Sequence, residues 1–244
     1  MHDALQREET YFAGAYWGAR KESSEQCAQR AGALFSALPS LDPSFSPWFR
    51  QGRSRKDALK RPVEPTFAEL EELIRKGKDR VVEELGFRFG VWNGAPDDRD
   101  GISFNVTCGG YSERVSNVCV FNLPSKGPTA DRVLKAPVLS ELVRSMAIAW
   151  EPDFAAVMST PHLQSIEAGG PSAIWIGWVT YLASARGPVP PLPAPVRIEA
   201  VEDQGTLIIL TPDRFTVSNP EHVALADRVR GLLDEAGLLK PLVP

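Results

Sequence analysis

The spacing of apolar side chains changes along the sequence, and the first change marks a strand followed by a helix. Residues 10–18, "TYFAGAYWG", combine aromatic side chains with Gly14 and Gly18, a composition that predicts a buried strand. Apolar residues then recur at helical spacing behind Ser23 and Gln26, which are placed to form a capping box. The chain is therefore predicted to open with a strand and a long helix.

A proline-rich segment separates this helix from the next. Residues 42–65 interrupt the helical spacing with prolines and are predicted to be irregular. Thr66 and Glu69 then form a second possible capping box, in front of an apolar stripe. We expect the second helix to run to about Arg80.

Two more helices are predicted in the second half of the chain. Pro137 stands at a first-turn position before an apolar stripe that reaches Trp150. Asn219 followed by Pro220 starts the last helix, whose stripe continues towards Gly237.

Between these helices, apolar residues recur at every second position. The segments "FRFGVWNG", "ISFNVTCGG" and "NVCVFNL" predict an antiparallel meander, and "VRIEAVEDQGTLIILT" predicts a hairpin. Helices beside runs of strands, without regular β–α alternation, are typical of α+β proteins. We expect residues 1–244 to form a single α+β domain, with a largely antiparallel sheet and about four long helices packed against it.

Composition narrows the possible functions. The net charge of −4 and the pI near 5.5 argue against a protein that binds nucleic acid directly. The three cysteines have no metal-ligand spacing and are expected to be core thiols. A charged amino terminus and the lack of an apolar run of about 18 residues predict neither a secretory signal nor a membrane span, and so a cytoplasmic protein.

Catalytic patterns are sparse. The sequence contains no G-x-S-x-G elbow, no P-loop and no G-x-G-x-x-G after a strand, so we expect no enzyme, no cofactor and no metal. His162, behind Thr160 and Pro161, is the one histidine placed where catalysis is conceivable. A hydrolase or transferase with a dispersed active site, with His162 as its base, therefore stays open as an alternative.

Two predicted turns are acidic. Asp97, Asp98 and Asp100 crowd the first turn of the meander, and Glu202 and Asp203 lie at the hairpin turn. The first turn lacks the spacing of a calcium loop, and Arg99 stands among its carboxylates. It is either a solvated loop or a recognition loop for a cationic partner, and we predict that all five carboxylates face a partner.

A basic cluster precedes the second helix. Its members are Arg50, Arg53, Arg55, Lys56, Lys60 and Arg61. Few aromatic residues are interleaved with them, so a solvated loop, or salt bridges to the acidic later part of the chain, is favoured over nucleic-acid binding.

Four segments together resemble the immunity protein 52 family of bacterial polymorphic toxin systems. They are "YFAGAYWGARKESSEQCAQRA", "SFSPWFRQGRSRKDALKRPVEP", "ELGFRFGVWNG" and "WIGWVTYL", and their order and separation carry the resemblance over most of the chain.

The resemblance implies an α+β protein that binds a cognate secreted toxin in the cytoplasm and neutralises it by stoichiometric inhibition. Toxins associated with this family usually carry a nuclease domain of the restriction-endonuclease type, so the implied partner is a DNase encoded by a neighbouring gene. The family supplies no catalytic residues to transfer. An adaptor that carries an effector to a secretion machine is a further alternative.

Overall fold

A computed structural model describes residues 9–168 and 174–241 of the chain. Within those residues the strands are β1 Tyr11–Trp17, β2 Trp48–Arg50, β3 Pro62–Val63, β4 Phe87–Trp92, β5 Ser103–Cys108, β6 Asn117–Asn122, β7 Phe154–Ser159, β8 Val179–Ala183, β9 Arg197–Val201 and β10 Gly205–Ile209. The helices are α1 Ser24–Ala37, α2 Arg55–Ala58, α3 Phe67–Lys76, α4 Pro128–Val133, α5 Ala136–Trp150, α6 Thr160–Ala168 and α7 Pro220–Glu235.

The strands form one antiparallel sheet in the order β3-β2-β4-β5-β6-β1-β7-β8-β10-β9. The predicted meander is β4–β5–β6, and the predicted hairpin is β9–β10. Strand β1 lies in the middle of the sheet, between β6 and β7. The α+β class and the largely antiparallel sheet are confirmed.

One face of the sheet is covered by α1, α3 and α5. The expected capping box starts α1: the Ser23 hydroxyl accepts from the Gln26 N–H at 3.3 Å, and the Gln26 side chain accepts from the Ser23 N–H at 2.9 Å. From α1, Phe35 packs edge-on against Phe104 of β5, with ring centroids 5.1 Å apart. Aromatic side chains from the helices and from the sheet therefore pack together between the two layers.

The other face is covered only in part. The rings of His162 and His222 both pack on Phe215, which brings α6 and the first turn of α7 together. Over the meander, in contrast, Arg88 and Asn105 are exposed on this face. The alternation of buried and exposed residues in β4 and β5 reflects this one-sided covering.

Several expectations need correction. Five helices of nine residues or more are present in the described residues, rather than about four, because the segment around His162, expected to be a loop or a short helix, forms the nine-residue helix α6. The helix expected to run to Arg80 ends at Lys76, since Gly77 closes it with a backbone hydrogen bond to Leu73. The segment expected to be irregular contains β2, α2 and β3.

Among residues 9–168 and 174–241, every helix is too short or too polar to span a lipid bilayer.

Candidate partner-binding surfaces

The first acidic turn joins β4 to β5, and some of its carboxylates are already paired within the protein. The Asp97 carboxylate accepts from the Arg99 N–H at 2.9 Å and forms an ion pair with the Arg99 guanidinium, also at 2.9 Å. Hydrogen bonds from the Arg99 side chain and backbone lower the pKa of Asp97 below its ordinary value. The charge of Asp97 is thus compensated by its neighbour.

Asp100, in the same turn, has a structural contact. Its Oδ1 accepts from the Thr129 N–H at 2.8 Å, in the first turn of α4. The N-cap residue of that helix, Gly127, has no side chain to cap it, so Asp100 takes this role from a distant part of the chain.

Asp98 is exposed and borders a shallow depression of about 340 Å³ that Trp92 and Arg55 also line. Within this turn, Asp98 is the carboxylate best placed to meet a partner.

The second acidic turn lies at the opposite end of the sheet. The row of paired residues beside the first turn crosses Trp92, Ser103, Asn122, Phe12 and Met158. The row beside the hairpin turn crosses Thr206, Leu182, Phe154, Tyr16 and Val118. Phe12 and Tyr16 lie at the two ends of β1, and both Glu202 and Asp203 are exposed. The structure therefore does not bring the five predicted carboxylates together.

The distance between the turns limits what one partner can cover. Five strand spacings separate β5 from β10, about 24 Å, and four residues along β1 add about 13 Å in the other direction. A compact interface of about 800 Å² per partner is roughly 30 Å wide. An interface of this size centred on one turn extends about 15 Å and does not reach the other turn, about 27 Å away.

The basic cluster is held by local contacts. Arg61 pairs with Asp57 at 3.0 Å, and Arg50 pairs with Glu69 at 3.4 Å. Arg55 donates to the Gly94 carbonyl at 3.1 Å, which ties α2 to the loop after β4. Internal salt bridges were expected, but these carboxylates lie within residues 57–69 and not in the later part of the chain, because β2, α2 and α3 are neighbours along the sheet edge.

His162 is a buried packing residue of α6. Its side chain is 2% exposed and its ring lies 5.1 Å from that of Phe215. Burial lowers the pKa of His162, although the charges of Asp227 and Glu9 oppose this. An imidazole with both ring nitrogens buried away from solvent is poorly placed to exchange protons with a substrate.

The cysteines are packing residues as well. Cys27, Cys108 and Cys119 are buried and unbridged, and burial raises the pKa of the Cys119 thiol well above its ordinary value. Among the described residues, no group of three or more His, Cys, Asp or Glu side chains is arranged to hold a metal ion.

The local sequence pattern did not predict a cluster of exposed apolar residues that the structure contains. Val81, Val82 and Val115 are among six large hydrophobic side chains that stand exposed in the described residues. The available signal was a pair of valines between charged residues, "DRVVEE", outside any predicted strand or helix.

Comparison with known families identifies the class of protein. The family model described as immunity protein 52 matches residues 9–242, and the chain belongs to that family. It is thus an immunity protein, a toxin inhibitor rather than an enzyme.

A solved structure shares the fold. The Pseudomonas aeruginosa T6SS protein PA0821 superposes with a TM-score of 0.54 at 13% sequence identity, over 92% of this chain and 73% of that chain. At this identity the likeness shows a common fold alone. No curated protein matches the chain in sequence.

Proposed function

We propose that the protein neutralises a cognate nuclease toxin, of the restriction-endonuclease type, by one-to-one binding in the cytoplasm of the cell that makes it. The observation that carries this proposal is the family match over residues 9–242, which supplies the immunity role and the toxin as partner. The structural relative is a T6SS protein, which is compatible with a toxin delivered by a secretion system.

The acidic turns of this protein support a nuclease as its partner. A nuclease keeps a basic groove for the phosphate backbone, and carboxylates on an inhibitor complement such a groove. The two acidic turns, with Asp97, Asp98 and Asp100 in one and Glu202 and Asp203 in the other, are the proposed partner-facing charges. Asp98 is the most available in the first turn, and both carboxylates of the hairpin turn are exposed.

Charge reversal separates the two turns. We compare Asp98→Lys with the double variant Glu202→Lys and Asp203→Lys, and measure association rates with the toxin domain at two salt concentrations. The turn that faces the partner should lose association rate and salt dependence when its charge is reversed. Unchanged rates in both variants would remove both turns from the interface.

A co-expression assay tests the function itself. Cells that express the nuclease domain of the toxin alone should lose viability and intact DNA, and co-expression of this protein should restore both. Loss of viability with intact DNA would contradict the nuclease assignment and leave the immunity role standing. If the protein protects only when the full-length toxin is expressed, the adaptor alternative is favoured.

A further inference from the structure

Two loops at one end of the sheet form a joint surface, which we call the valine platform. It comprises residues 78–86, between α3 and β4, and residues 109–116, between β5 and β6. Val81 is 92% exposed, and Val82 and Val115 are 42% and 44% exposed. Half of the six exposed large hydrophobic side chains in the described part of the chain therefore lie on these two loops.

The loops are fixed to each other through their backbones. The Glu84 carbonyl accepts from the Tyr111 N–H at 2.8 Å and from the Ser112 N–H at 3.2 Å. Gly86 has a φ of +68°, and a Cβ there would lie 2.3 Å from the Cys108 carbonyl oxygen and 2.5 Å from the Gly110 nitrogen. Only glycine permits this approach, so the two loops behave as one surface.

The apolar tip is also held in place. Asp79 Oδ1 accepts from the N–H groups of Val81 and Val82 at 2.9 and 2.8 Å, and the Asp79 N–H donates to the Gly86 carbonyl at 3.0 Å. These bonds form a turn that directs Val81 into solvent. A tip that is ordered before binding loses little conformational entropy when a partner docks.

The charge beside the tip is positive. A depression of about 600 Å³ adjoins it, lined by Arg75, Lys76, Lys78, Asp79, Arg80, Val81 and Glu83. Three of the four cations have carboxylate partners, Glu71, Glu72 and Glu83. Among the described residues no carboxylate lies within ion-pair distance of Arg80, so a partner that covers Val81 complements this site best with a carboxylate.

From this arrangement we infer that the valine platform is the centre of the toxin-binding surface, and that the toxin domain receives Val81 in an apolar depression bordered by a carboxylate that pairs with Arg80. The inference rests on the proposed function, since it names where the same partner docks. Exposed apolar residues rimmed by charged side chains are typical of protein interfaces. Glu202 and Asp203 lie at the same end of the sheet but about 24 Å from β5, and Asp98 lies at the other end, so an interface about 30 Å wide centred on the platform touches neither acidic turn. In this arrangement the acidic turns face the approaching partner and act on its association rate through long-range attraction.

The test uses the full chain and the purified toxin domain encoded by the neighbouring gene. Val81→Asp should weaken binding about tenfold or more, because it places a charge in an apolar contact. Arg80→Glu should slow association and change its salt dependence. Ile198→Asp is the matched control, because Ile198 is 44% exposed on β9 at the far edge of the sheet, and its affinity should stay within about twofold of wild type.

The outcomes separate the inference from the function on which it rests. If wild type inhibits the toxin and Val81→Asp binds equally well, the platform is not the binding surface, and the immunity function stands. If wild type does not bind the toxin domain, the proposed function and the inference both fail. If the free protein is a dimer that Val81→Asp converts to a monomer, a second copy occupies the platform, and the inference is overturned.

Discussion

Asp100 caps α4 from 29 residues away, and this contact changes how the acidic turn is understood. The sequence places Asp97, Asp98 and Asp100 together as equivalent charges. In the folded chain Asp97 is paired with Arg99, Asp100 holds a helix, and Asp98 is exposed. The local sequence shows that the turn is acidic. The role of Asp100 depends on its contact with Thr129, which no local pattern encodes.

A residue-scale prediction follows from that cap. Replacement of Asp100 by Ala should lower the free energy of unfolding by about 0.5–2 kcal/mol, because the Thr129 N–H loses its acceptor. Denaturant unfolding measures the change, and Asp98→Ala, which removes an exposed carboxylate of the same turn, serves as the control. Equal stability of the two variants would rule out the capping role.

His162 gives a pH dependence of stability. Burial lowers its pKa in the folded protein, so the unfolded state, with an ordinary value of 6.5, binds a proton first as the pH falls. The contribution of the neutral His162 is fully present above about pH 6.5 and is lost progressively below it.

A phenylalanine at this position removes the titrating group and keeps a ring against Phe215. The free energies of unfolding of wild type and His162→Phe are measured between pH 7.5 and 5. Above about pH 6.5 the two should change with pH in parallel, and below it the wild type should lose stability more steeply than the variant. Parallel curves over the whole range would show that His162 does not cause the loss.

At the scale of elements, α5 packs on the centre of the sheet, where it contacts β1, β7 and β8. Trp150 at the end of α5 stacks on Trp17 of β1, with ring centroids 5.3 Å apart and planes 20° from parallel. Both rings are almost completely buried.

Trp150→Ala should therefore destabilise the fold by about 3–5 kcal/mol, since it leaves a large cavity beside Trp17. Phe67→Ala is the comparison, because Phe67 is 51% exposed, and it should change stability by less than about 0.5 kcal/mol. Thermal and denaturant unfolding give both values, and a small effect of Trp150→Ala would contradict the assigned core.

The alternation of apolar and polar residues predicted some strands of the sheet and not others. Strands β4, β5 and β6 have one buried and one open face, so alternation in the sequence predicted them. Strand β7, "FAAVMS", is buried at every position because it lies between β1 and β8 under cover on both faces, and its sequence therefore shows no alternation. Strands β2 and β3 are too short for any period to appear.

At the scale of the molecule, the sheet order decides which surfaces one partner can reach. The central position of β1 depends on pairing with strands about 100 and 140 residues later, which no local pattern specifies. That order places the two acidic turns at opposite ends, and it places the valine platform at the end with Glu202 and Asp203. The sequence revealed the acidic turns and the family, while the apolar platform depends on backbone contacts between distant loops.

Stoichiometric inhibition of a nuclease is the function proposed for this immunity protein. The most direct test is a titration of the purified toxin domain with the protein, in which binding and DNA cleavage are followed in the same samples. We expect DNA cleavage to fall in proportion to the complex formed and to end at one equivalent of the protein. Tight binding with cleavage intact, or full cleavage with no complex, would contradict the proposed function.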